Sequence, residues 1–170
     1  MEKNILEIKV PRNSEETPES MAGIFAGLSN YKSSFWQKLF GKRKCVVFEI
    51  VLEKQTIHFY SVLEKEFEPY FTSQLTAQYP KSNYAKIKDY LKNWDLEKAD
   101  FGQLVLDKAY WFPLKTYNDF REIDPLAAFL GTLSKAGPKD RALFQLVIAP
   151  VGSSYENAAR KILNKGVPSP

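Results

Sequence analysis

Two runs of β-branched and aromatic residues, separated by only three polar ones, constrain this chain more than any other feature. Residues 45–52 (CVVFEIVL) and 56–63 (TIHFYSVL) flank the linker Glu53, Lys54 and Gln55. Such runs suit the pleated, half-buried surface of a sheet, and so short a linker leaves room only for a hairpin. A hairpin cannot hide its faces alone, so the flanking segments have to supply further strands and a layer of helices.

The segments before and after it have the required patterns. Residues 5–10 alternate around Glu7 and Lys9 and stop at Pro11, as a half-buried strand does. Thr17 and Pro18 form an N-cap and N1 pair, and Met21, Ile24, Phe25 and Leu28 follow at helical spacing. After the hairpin, Pro69 opens a helix whose Phe67, Phe71, Leu75 and Tyr79 recur every fourth residue until Pro80. Residues 84–90 alternate again and read as a fourth strand. The order βαββαβ predicts an α+β fold with a ferredoxin-like unit over residues 1–92.

A related ββαβα unit is expected over residues 93–166, with a mainly antiparallel sheet and both units fused into one compact domain. Residues 103–107 and 111–117 read as strands, with Pro113 restricting the second to an edge or bulge. Asp124 and Pro125 repeat the helix-start pair, and Leu126, Phe129, Leu130 and Leu133 form the stripe of a helix ending at Gly137 and Pro138. Residues 143–151 (LFQLVIAPV) are nearly continuously apolar, which predicts a central strand covered on both faces and interrupted by Gln145. Leu126, Phe129, Leu130, Leu133, Leu146 and Ile148 are therefore expected to be buried. Residues 155–164 make a last helix, and residues 167–170 read as a linker or tail.

The chemistry-bearing inventory points away from catalysis. The chain has one histidine and one cysteine, and no phosphate-binding glycine loop, dinucleotide fingerprint or serine elbow interrupts its elements. His58 lies between Ile57 and Phe59 on a strand and reads as a packed or hydrogen-bonded residue. Cys45 reads as a small strand hydrophobe, and the absence of a second cysteine excludes an internal disulfide and a cysteine-rich zinc site. The acidic groups Glu64, Glu66 and Glu68, and Asp119, Glu122 and Asp124, precede helices, where the helix dipole favours them. No enzyme activity, cofactor or metal is expected.

One stretch departs from an ordinary core pattern. In residues 34–44 (SFWQKLFGKRK), Phe35, Trp36 and Phe40 stand beside Lys38, Lys42, Arg43 and Lys44. The composition suits a membrane or partner contact, with apolar rings at a headgroup boundary and cations on anionic lipid. It also suits a loop helix packed on the sheet with its lysines in water. No apolar run is long enough to span a bilayer, and residues 1–11 lack the core of a signal peptide.

The phrases LEIKVPRNSEETPESM, SFWQKLF, VVFEI, IHFY, SQLTAQYP, WFPLKTY, IDPLAAFLGTLSKAGPKDRALFQLVIAPV and AARKIL, in that order, resemble an uncharacterised domain of candidate-phyla ultrasmall bacteria. In that family the domain commonly lies between a transmembrane segment and an ATPase similar to type IV secretion and conjugation motors. The resemblance implies a non-catalytic assembly or accessory domain, cytoplasmic and at the inner face of the membrane. Its partners would be the ATPase module, by a protein contact or by self-association, with weak contact to anionic membrane. The alternative is a nucleic-acid-binding module using tyrosines and lysines on a ferredoxin-like sheet, where Tyr60, Tyr84 and Tyr90 also fit the plainer role of covering a sheet face.

Overall fold

The computed structural model describes residues 2–11, 13–30, 45–110, 112, 114–116, 119, 126–149 and 153–164. The fold is α+β, with a five-stranded antiparallel sheet of order β4-β1-β3-β2-β5. Its strands are β1 (Lys3–Lys9), β2 (Val46–Glu53), β3 (Thr56–Glu64), β4 (Asn83–Ile87) and β5 (Ala142–Ile148). The helices are α1 (Pro18–Asn30), α2 (Glu68–Gln78), α3 (Ala127–Leu133) and α4 (Ser153–Asn164). Short 3₁₀ turns run over Lys65–Phe67, Tyr90–Asn93 and Leu96–Lys98.

The hairpin is as expected but tighter, because Glu53 already pairs with Thr56 and only Lys54 and Gln55 turn the chain. Both turn residues have positive φ, 50° and 59°, the backbone of a two-residue turn whose twist matches its strands. Neither residue is the Asn or Gly that adopts such angles without steric cost.

Period-2 alternation sends Leu6, Ile8, Val46, Phe48 and Leu63 to one face, where α1 and α2 lie. Phe71 is fully buried at the centre of that layer, among Leu6, Ile24, Val46, Leu63, Phe67 and Leu75. Phe48 packs edge-on to Phe25 of α1 at 5.8 Å and lies 6.1 Å from Phe71 of α2. The helices meet closely at Gly23, where a Cβ would stand 3.2 Å from the Gln78 carboxamide. Glu68 ties α2 to the sheet by accepting from Asn4 Nδ2 and pairing with Lys86 Nζ at 3.0 Å.

The second half departs from its expected form. Among the described residues β5 is the sole strand after β4, and it pairs with β2 rather than with a sheet of its own. Residues 103–106 are irregular, as are 114–116, and Phe112 lies in a bend; Trp111, Pro113 and Tyr117 fall outside the described residues. Nor is β5 a central strand: Leu146 is 49% and Val147 57% exposed. A continuous apolar run marks strong strand character but not which neighbours it receives, and here one of its edges has none among the described residues. The stripe of α3 is also not core. Leu126 is exposed and Phe129, Leu130, Leu133 and Ile148 are only half-buried, since the helix meets β5 at the sheet margin, Phe129 lying 5.3 Å from Phe144. Asp124 and Pro125 lie outside the described residues.

Two stability changes follow. Phe71→Ala, which empties the centre of the core, is expected to cost about 3–5 kcal/mol in urea unfolding. Lys54→Asn with Gln55→Gly, which relieves the positive-φ turn, is expected to stabilise by about 0.5–1 kcal/mol, and destabilisation in the same assay would contradict the turn geometry.

Candidate functional site

The face of the sheet away from α1 and α2 carries an unusual row. Ala85, Glu7, Tyr60, Glu49 and Gln145 stand opposite one another on β4, β1, β3, β2 and β5. The 3₁₀ turn at Tyr90–Asn93 folds over this row. Asp89 starts it by accepting from Leu91 N at 3.1 Å, and the turn brings Tyr90 onto Tyr60 with ring centroids 5.0 Å apart. Arg141 fastens the far side of the turn, donating from Nη1 to Asn93 O at 2.8 Å while its guanidinium lies over Trp94.

Glu49, between Tyr60 and Gln145, is the most buried acid of the row, only 3% exposed. Tyr90 Oη donates to one carboxylate oxygen at 2.8 Å and Gln145 Nε2 to the other at 2.8 Å. A carboxylate buried this deeply is costly unless hydrogen-bonded, and both oxygens are. Glu7, the second acid of the row, accepts from His58 Nδ1 at 2.9 Å and pairs with Lys9 at 3.2 Å. The His58 bond, more than any other contact, holds the Glu7 carboxyl below its ordinary range. Burial, and secondly the bond to Glu49, pushes the Tyr90 phenol far above its ordinary value, and burial raises Tyr60 as well.

His58 is thus a packed, hydrogen-bonded histidine, stacked on Tyr60 at 5.6 Å. The carboxylates of this face tie its strands together, Glu49 buried and the Glu7–His58 pair partly exposed. Among the described residues no group of three His, Cys, Asp or Glu side chains could hold a metal ion, and no helix is long and apolar enough to cross a membrane. Of the three tyrosines expected on a face, Tyr60 and Tyr90 are buried against each other and Tyr84 is exposed. Phe35, Trp36, Lys38, Phe40, Lys42, Arg43 and Lys44 lie outside the described residues.

A different surface stands out. Phe101 is 81%, Leu104 85% and Val105 77% exposed, with Leu106, Tyr110 and Leu114 also exposed. Among the described residues, 101–107 make no hydrogen bond. The exposed Leu146 and Val147 lie on β5 at the margin of the sheet, and Phe144 and Leu146 line an apolar groove of about 770 Å³ with Ile50 and Phe59. Exposed apolar side chains in such number mark interaction sites. The sequence pattern predicts strands over 103–107 and 111–117, the second at an edge or bulge, and a central strand over 143–151. The signal that separates the cases is company: residues 103–107 have strand chemistry with no neighbouring hairpin to pair them.

The fold and these surfaces define a small α+β domain with a hydrogen-bonded polar row on one sheet face and exposed apolar residues at one margin. The chain belongs to the DUF8128 family, a domain of unknown function, whose model matches residues 1–166. No curated protein and no solved structure matches it.

Tyr90→Phe leaves one buried oxygen of Glu49 without a donor and is expected to cost about 1–3 kcal/mol. Unfolded tyrosine ionises near pH 10 while folded Tyr90 keeps its proton, so this contribution is intact below about pH 10 and is lost above it. Urea melts at about pH 8 and pH 11 should therefore show a larger alkaline loss in the parent than in Tyr90→Phe, and equal losses would contradict the assignment.

Proposed function

We propose that this chain is a non-catalytic assembly domain, docking a protein partner through the apolar surface of residues 101–110 and Leu114. The observation that carries this is the exposure of Phe101, Leu104 and Val105, Phe101 standing beside the start of β5. Side chains of this size lose about 1.5–3 kcal/mol each by standing in water, which a partner recovers on covering them. The order β4-β1-β3-β2, with α1 and α2 on one face, supports a ferredoxin-like unit extended by β5. Tyr60 and Tyr90 are engaged with each other, which favours a protein partner over stacked nucleic-acid bases.

The partner class rests on the sequence resemblance: a membrane-bound type IV secretion- or conjugation-like translocation ATPase, met at the cytoplasmic face of the membrane. Its test is the complex of this chain with such an ATPase from the same cells, followed by analytical ultracentrifugation. Leu104→Asp with Leu106→Asp is expected to weaken the complex by about tenfold or more while leaving the far-UV spectrum unchanged. Equal affinity of parent and variant, or no complex with the parent, would contradict the proposal.

A further inference from the structure

The apolar surface and the open sheet margin are complementary. Residues 103–107 (QLVLD) alternate as a strand does, and among the described residues their backbone groups have no partner. β5 pairs with β2 along one edge, and no described residue pairs with its other edge. Natural edges are usually blunted by charge, proline or shortness. The opposite edge, β4, follows that rule, being five residues long with Lys86 in it and Pro80 just before it. β5 does not: its seven residues, ALFQLVI, contain no charge and no proline. Among the described residues, one strand-type segment lacks a sheet and one sheet edge lacks a strand.

Their placement makes the match self-complementary. Phe101, two residues before the segment, lines a hollow of about 640 Å³ together with Arg141 and with Ala142 and Leu143 at the start of β5. Donor and acceptor therefore share one rim of the molecule, and a two-fold axis beside that rim lets both contacts form at once, as a closed dimer interface requires. Alternation sorts the side chains correctly. With Leu104 and Leu106 on the face of Phe144 and Leu146, Val105 falls on the face of Val147, covering the exposed residues of both faces of β5.

Building on the assembly reading, we infer that, before the ATPase covers this surface, the chain pairs with a second copy of itself, residues 103–107 of each copy adding a strand to the β5 edge of the other. Main-chain hydrogen bonds supply the attachment and the alternating side chains fix its register.

Proline separates this from simple apolar contact, because it removes a backbone N–H and cannot extend a ladder. Sedimentation of the full chain over a range of concentrations should show a monomer–dimer equilibrium. Val105→Pro is expected to weaken it about tenfold or more, whereas Val105→Thr, which keeps the N–H, should dimerise as the parent does. In a Cys45→Ser background, mixing separately tagged Val105→Cys and Val147→Cys chains should give a disulfide-linked heterodimer. A monomer at every concentration overturns the inference, as does a dimer indifferent to Val105→Pro or a failure of the two cysteines to link. The assembly reading would survive any of these if the ATPase complex still forms and still responds to Leu104→Asp with Leu106→Asp; loss of that response alone would overturn the assembly reading instead.

Discussion

A strand inside a sheet has two edges and two faces to satisfy, and β3 is where this chain satisfies all four. Its edges carry β1 and β2. Leu63 on one face joins the Phe71 cluster under α1 and α2, while Tyr60 on the other meets Tyr90. Satisfaction declines outward from there. β4 is short and charged, and β5 is long, apolar and paired on one side among the described residues. The assembly account depends on that gradient, because unpaired backbone groups and exposed leucines on one margin are the free energy that association can use.

The row through Glu49 has a second consequence. Side chains in a strand alternate faces, so a one-residue slip of β2 would drive Glu49 into the apolar layer around Phe71 and pull Phe48 out of it. A buried carboxylate satisfied by Tyr90 and Gln145 in a single register makes every slipped pairing costly. Gln145 also couples β5 to that register, so the strand offered at the margin is itself held in a defined position.

The first half of the fold was legible because its signals are local. Thr17 and Pro18 opened α1, Pro69 and the four-residue spacing of Phe67, Phe71 and Leu75 marked α2, and the short polar linker marked the hairpin. The second half was not, because strand character and strand pairing are different properties. The sequences QLVLD and LFQLVI both carry the first, and the second depends on what else reaches the sheet. Glu49 and Gln145 could have been found as the polar interruptions of two apolar runs. That they face each other, and that Tyr90 arrives from a 3₁₀ turn to complete the set, is a matter of register and tertiary placement that spacing does not encode.

Hydrogen exchange followed as a function of protein concentration tests the central claim most directly, since it reads the backbone groups themselves. Amides that become paired between copies are protected in proportion to the dimer, while those paired within one copy are insensitive to it. The account predicts that amides in residues 103–107 and the outward-facing amides of β5 gain protection together as concentration rises, with β3 unchanged. Exchange of residues 103–107 at the rate of an unstructured chain at every concentration would contradict it.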